Sequence, residues 1–222
     1  MNKLIIIGDG ETAQLAYEYF TYDSNFVVTA FAVEEKYLSV VSLNEVPVVA
    51  FEQLLQTYDP QEYYAFIAIS STKLNRLRTR LYQATKELGY EFASYVSSKA
   101  FIWRDVEIGE NCFILEDNTI QPFVKIGNNV TLWSGNHIGH RSVVRDNCFI
   151  TSHVVISGYC DIGKNCFIGV NSAVSNNIKI GEDCLVSLGS VISKDTECNG
   201  IYKGNPAIRH HLSAKRFFNI TD

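Results

Sequence analysis

Nothing in this chain approaches the roughly 18 consecutive apolar residues of a membrane-spanning helix. The opening MNKLIIIGDG runs four apolar residues straight into glycines, which describes a buried strand entering a turn and not a secretion signal. Basic charge is also short. Nineteen Lys and Arg against 24 Asp and Glu leave a formal charge of −5, which argues against nucleic acid or an anionic membrane as partner. Six cysteines form no CxxC pair and no Cys/His cluster of ligand spacing, so no metal is expected. The expectation is a soluble, cytoplasmic protein whose 222 residues make one large domain or two small ones.

What is there is a repeat. Stepping by six from Val96, every position to Ile192 is Ile, Val or Leu, seventeen in succession. Two residues before each lies a small or β-branched residue, or Asn, and five cysteines (Cys112, Cys148, Cys160, Cys166 and Cys184) fall there as small apolar fillers. Midway between aliphatics Asn or Asp is frequent, as at Asn111, Asn129, Asn147 and Asn165, and these types tolerate the left-handed backbone of a tight corner. Fixed period, short strands and corner residues specify a parallel β-helix of hexapeptides over residues 94–198, with the aliphatics inward. Three hexads per turn is the triangular, left-handed form that resembles hexapeptide-repeat proteins. Five to six coils at the inter-strand spacing make a prism roughly 25–30 Å tall. Phe113, Phe149 and Phe167 fall in one outward register, so exposed aromatic flat sides and a homotrimer are expected.

Residues 1–93 alternate differently. Apolar strands at 4–8, 26–33 and 63–70 are separated by helical stretches at 11–20 and 51–58. Leu74, Leu77, Leu81, Ala84 and Leu88 follow the spacing of one helix face. This order predicts a small parallel α/β domain. Between its first strand and helix lies Gly8-Asp9-Gly10-Glu11-Thr12-Ala13, a G-x-G-x-x-A turn of the kind that admits a phosphate to a helix N-terminus. A tight turn that binds nothing is the alternative, and the acidic Asp9 and Glu11 sit oddly beside a phosphate. Glu34 and Glu35 end the second strand, where an acid holds a ribose hydroxyl or a base edge, or else lies in a solvated loop.

GDGETA near the start, the hexads, IGHRSVV at 138–144 and YKGNPA at 202–207 together resemble the sugar acyltransferases of the sialic-acid O-acetyltransferase and bacillosamine-pathway N-acetyltransferase type. The resemblance covers essentially the whole chain. It implies a Rossmann-like domain for a nucleotide-linked sugar, a left-handed β-helix using acetyl-CoA, and a trimer with active sites between subunits. It also implies a place in surface-polysaccharide (lipopolysaccharide) or glycan biosynthesis. The catalytic base it implies is His140, in the Ile138-Gly139-His140 corner. The family's acidic residue after this histidine is here Arg141, so another group must orient the imidazole. A later family histidine corresponds to Phe149, with His153 nearby as a substitute. Pantetheine is expected past Val170, Asn171, Leu188 and Gly189. Gly204-Asn205-Pro206-Ala207 resembles the family's coenzyme-binding turn, with Lys203 and Arg209 near coenzyme phosphates. Residues 199–222 are thus the coenzyme-contacting turn and tail, ending in a short closing helix.

Positions themselves say part of this. His140 lies two residues after an inward aliphatic, on a corner, and eighteen residues further is Gly158. One coil on, Gly158 stacks about 4.8 Å from the imidazole's coil and is expected to offer its N–H to an oxyanion. An imidazole titrating near neutrality suits removal of a proton from an attacking amine. His137 faces outward on a flat side, to touch the sugar, to orient His140 or only to pack. Trp133 and Asn136 are expected to line the sugar site; interface packing and small filler are their alternatives. Transfer to a sugar hydroxyl uses the same machinery. A nucleotide-sugar-binding scaffold without catalysis is a different class. A zinc hydratase on the same prism requires an H-x4-H pair, and His137 and His140 are H-x2-H.

Overall fold

The computed structural model describes residues 2–206 and 208–220; Ala207, named above in the coenzyme turn, lies outside them. The chain divides into two compact units: residues 1–70 with 77–95, and residues 71–76 with 96–222.

The first unit is built on a mainly parallel sheet. Strand β1 (Asn2–Ile7) is followed by helix α1 (Glu11–Tyr22), β2 (Phe26–Val33), β3 (Ser42–Leu43) and β4 (Val46–Ala50). Helix α2 (Leu54–Thr57), β5 (Tyr63–Ile67), α3 (Arg76–Glu87) and β6 (Glu91–Phe92) complete it. The sheet order is β3-β4-β2-β1-β5-β6. All neighbours run parallel except the β3–β4 hairpin. β1 lies centrally with Leu4, Ile5, Ile6 and Ile7 fully buried, the burial its unbroken apolar run dictates. The expected helix face holds for Leu77 and Leu81, but not for Leu74. The chain breaks before α3, with Lys73, Leu74 and Asn75 in left-handed conformation. Leu74 belongs to the second unit and packs within it, with Leu185, Ile201 and Ala214. Periodicity registers a leucine in step, and cannot register that the backbone there is no longer helical.

The second unit is a three-sided coil. Every strand from Phe101–Ile102 to Val191–Ile192 is two residues long and ends on an aliphatic of the six-residue series. Up to the last coil each pairs in parallel with the strand eighteen residues on, as Thr119↔His137↔Val155, and Leu185 pairs with Ile201. Strands at 113–114, 131–132, 149–150, 167–168 and 185–186 form the first face; 101–102, 119–120, 137–138, 155–156, 173–174 and 191–192 the second; 107–108, 125–126, 143–144, 161–162 and 179–180 the third. From Ile114 to Ile192 the aliphatics are buried, with the cysteine fillers among them. At the far end Tyr202 plugs the interior and its hydroxyl accepts from the Glu197 N–H at 2.8 Å. The last segments are strands Gly200–Lys203 and Ile208–Ser213 and the one-turn helix Ala214–Phe217, the expected closing helix.

One expectation about the flat sides fails. Phe113 and Phe149 are 2% and 6% exposed. Phe149 and Phe167 stack at 5.8 Å, and Phe167 packs on the Leu74–Leu185–Ile201–Ala214 cluster. This aromatic register is covered within the chain, so it supplies no motive for a trimer.

The cysteines provide a chemical test. Cys112, Cys148, Cys160, Cys166 and Cys184 are buried and Cys198 is exposed. Burial pushes the Cys160 and Cys166 thiols up, away from the reactive thiolate. Native protein treated with a thiol reagent is expected to label at Cys198 first, with the other five reacting only on unfolding. Peptide mapping of labelled protein checks this, and early labelling of several interior thiols contradicts the inward assignment.

Candidate active site

The three corners of the coil differ in what their left-handed positions carry. On the corner from third to first face these are Asn111, Asn129, Asn147, Asn165 and Asp183. Asn and Asp tolerate this backbone. The side chains add a ladder: Asn111 Nδ2 donates to Asn129 Oδ1 at 2.7 Å, and Asn129 Nδ2 to Asn147 Oδ1 at 2.8 Å. The corner from second to third face departs from this pattern. Phe123, Arg141 and Tyr159, one above another, hold φ of 65°, 58° and 58°. Such residues are strained there by on the order of 1–3 kcal/mol each, and strain of this kind gathers at functional sites. His140 lies directly before Arg141, beside the middle of that column.

The imidazole is exposed and held on three sides. Its backbone N–H donates to Gln121 Oε1 at 2.9 Å, and its Nδ1 lies 3.2 Å from the same oxygen. The Tyr159 ring meets it edge-on, centroids 5.1 Å apart. Beneath lies Gly158: a Cβ there would stand 2.6 Å from His140 Cε1 and 2.9 Å from Nε2. Glycine is thus required at 158 for close approach of the ring. Arg141 turns away, its guanidinium 4.3 Å from the centroid of the Phe123 ring.

The expected role of the Gly158 amide is corrected. Its N–H donates to Asn176 Oδ1 at 2.8 Å, so it is not a free oxyanion donor. Asn176 is eighteen residues beyond Gly158, and continuing the same step would have found it. Gln121 could not be found that way, because eighteen residues on from it is Gly139; only the reach of its side chain brings it to His140.

Asn136 is also corrected. It is 1% exposed, its Nδ2 donates to the Trp133 carbonyl and its Oδ1 accepts from the Val154 N–H at 2.7 Å. It is a filler that ties two coils, with no surface left for a sugar. Trp133 is half-buried on the Phe149 ring, and its Nε1 is buried without a hydrogen-bond partner. His137 is half-buried on the second face between Thr119 and Val155. No hydrogen bond among the described residues links it to His140.

His153, Val170, Asn171, Leu188 and Gly189 lie on another corner, from first to second face, and all are exposed. Within one chain they are therefore separated from His140 by the second face. The His153 ring packs over Gly135, repeating the imidazole-on-glycine contact. At the far end, Gly204 (φ 98°), Asn205 and Pro206 turn between the last two strands, with Lys203 exposed before them. Arg209 pairs with Glu197 at 2.9 Å.

In the first unit, the glycine turn lies at the carboxyl end of β1. Gly8 holds φ 124° and its Cβ would meet the Ala68 carbonyl oxygen at 2.9 Å, so both conformation and contact exclude a side chain. Gly10 needs neither; it caps α1 without a side chain, facing open space, so the helix N-terminus stays bare beside Glu11 and Thr12. Gly8, Asp9, Glu34, Tyr37, Leu77 and Leu81 help line a cavity of about 120 Å³. Glu34 is held by both terminal nitrogens of Arg80, at 3.1 and 2.8 Å, which keeps its carboxyl below the usual range. Glu35 points to solvent, and its N–H donates to the Glu52 carboxylate at 2.9 Å.

Residues 105–139 and 123–158 match the family of the bacterial transferase hexapeptide (six repeats). The second unit is a hexapeptide-repeat β-helix. Over 95% of the chain the fold is also that of other solved proteins, among them a perosamine N-acetyltransferase from Caulobacter crescentus. PerB from Caulobacter crescentus, solved with CoA and GDP-perosamine, is 22% identical over 98% of its length, with a TM-score of 0.84. The acetyltransferase domain of PglB from Neisseria gonorrhoeae is 19% identical over all of its length, with a TM-score of 0.83. WeeI from Acinetobacter baumannii is 20% identical over all of its length, with a TM-score of 0.73. At these identities the likeness establishes the hexapeptide fold and its left-handed type. Among the described residues no helix is long and apolar enough to cross a membrane.

The corner's close packing yields a test independent of any activity. Gly158→Ala should push the imidazole out of place, since the ring is the movable partner. The fold should tolerate it, with the melting midpoint shifted by less than about 2 °C. A crystal structure of the variant checks this; an unmoved His140 ring would refute the packing described.

Proposed function

We propose that this chain is an acetyl-CoA-dependent N-acetyltransferase acting on a nucleotide-linked amino sugar, in surface-polysaccharide or glycan biosynthesis. One observation carries the reading: an exposed imidazole, on the corner where Phe123, Arg141 and Tyr159 hold left-handed backbone in three successive coils, seated on a glycine that leaves room for it. His140 is the base. The amine attacks the thioester carbonyl, the C–N bond forms and the C–S bond breaks. The amine proton passes to His140 and from it to the departing thiolate.

The first unit is, in this reading, a Rossmann-like domain for the nucleotide-linked sugar. The sugar nucleotide's phosphates would lie at Gly8, Asp9, Gly10, Glu11 and Thr12, and its nucleoside near Glu34 and Glu35. The uncapped N-terminus of α1 supports that placement. Trp133 and His137 contact the sugar. The coenzyme follows His153, Val170, Asn171, Leu188 and Gly189, then the turn at Lys203, Gly204, Asn205 and Pro206, with Arg209 near its phosphates. Because those residues occupy a different corner from His140, a complete site needs two chains, and a cytoplasmic homotrimer with sites between subunits supplies them. Relatives of the same fold are described as bound to CoA and GDP-perosamine, which supports both ligand classes.

The test is steady-state kinetics of His140→Ala with melting curves as control. Acetyl transfer should fall by about 10²–10⁴-fold. Stability should change by less than about 0.5 kcal/mol, because the side chain is exposed. His137→Ala and His153→Ala should do less damage. A His140→Ala enzyme retaining more than about a tenth of wild-type activity, well short of the loss a general base entails, would move the base elsewhere.

A further inference from the structure

We infer that Gln121 is the positioning residue of this active site, fixing the imidazole of His140 in the tautomer that a base requires. The inference rests on the reading of His140 as base, and it answers what orients that ring when Arg141 follows it.

The geometry has one consistent assignment of protons. A backbone N–H can only donate, and the His140 N–H points at Gln121 Oε1 from 2.9 Å. The atom there must therefore be the amide oxygen; an NH₂ group would set two donors against each other. A carbonyl oxygen has two lone pairs. The second faces His140 Nδ1 at 3.2 Å, and an oxygen that only accepts requires the proton on Nδ1. Nε2 then carries the lone pair. The ring meets Gly158 through Cε1, with both nitrogens close behind: a Cβ there would stand 2.6 Å from Cε1, 2.9 Å from Nε2 and 3.0 Å from Nδ1. One side-chain oxygen thus anchors the corner and selects the tautomer, which leaves Nε2 as the basic nitrogen.

The choice of an amide has a consequence. A carboxylate at this place would stabilise the imidazolium by its charge, whereas a neutral oxygen orients the ring without that pull. The charged and titratable groups around the corner are Arg141, held on the Phe123 ring, the Tyr159 ring edge, and Asp105, which accepts from the Phe123 N–H at 3.0 Å. None of these accepts from Nδ1; among the described residues Gln121 does so.

The experiment pairs a spectroscopic readout with kinetics. Long-range ¹H–¹⁵N spectra of ¹⁵N-histidine-labelled full-length protein, with His140 assigned by its loss in His140→Gln, report the tautomer directly. Wild type should show a protonated Nδ1 and a bare Nε2. Gln121→Ala should lose that pattern, and kcat should fall about tenfold, the worth of one such hydrogen bond, with KM for acetyl-CoA little changed. Gln121→Glu keeps both acceptor contacts and guards against a merely damaged corner. It should restore the Nδ1–H tautomer and move the acidic limb of the kcat profile to higher pH, because a carboxylate raises the imidazole's pKa. Gln121→Ala with the wild-type tautomer, or with wild-type kcat where His140→Ala is inactive, overturns the role of Gln121 alone. Activity surviving in His140→Ala overturns the reading it rests on, and leaves the spectroscopic result standing.

Discussion

Eighteen residues separate the strands of successive coils from their parallel partners up to the closing strand, and everything else in the second unit hangs on that spacing. Thr119, His137 and Val155 are one ladder, and Phe149, Phe167 and Leu185 another. The spacing holds because the sixth residue of each step is a buried aliphatic, worth roughly 1.5–3 kcal/mol apiece. A one-residue slip would turn the inward set outward. The corners are therefore columns, and a residue's place in its column settles what lies above and below it. That is why His140 rests on Gly158, and why Gly158 in turn meets Asn176.

The columns also separate stability from function. The Asn column relieves its own backbone and bonds coil to coil, so it is the cheap way to turn a corner. The column of Phe123, Arg141 and Tyr159 forgoes that advantage three coils running. Its residues build a small aromatic enclosure instead, with Arg141 laid on Phe123 and Tyr159 set edge-on to the imidazole. Local strain of this sort persists where the neighbouring ladders over-determine the backbone, and the fully paired coils on both sides do so here.

Much of this was legible in the order of residues. The hexad series locates every short strand of the coil, the Asn positions mark left-handed corners, and stepping eighteen from His140 finds Gly158. What escaped was whatever depends on side-chain reach or on a break in regularity. Gln121 lies nineteen residues from His140, off the ladder, and its long side chain makes the contact. Leu74 keeps helical spacing while its backbone has left the helix. Asn136 carries a polar type that suggests ligand contact, yet its amide is consumed between two coils. The Phe113–Phe149–Phe167 register reads as an exposed face because a periodic pattern says outward, not uncovered. The Gly158 amide looked available because a partner donated by the next coil's side chain is invisible until that side chain is placed.

The central claim is that the His140 corner transfers an acetyl group to the amine of a nucleotide-linked sugar. The most direct measurement is free-thiol release from acetyl-CoA by the full chain against UDP-, GDP- and dTDP-linked amino sugars, each beside its N-acetylated counterpart. The account predicts rapid release with at least one free amino sugar, and none with its N-blocked form. Release that is equal with the blocked sugars would place the acceptor at a hydroxyl. No release with any of them would contradict the account.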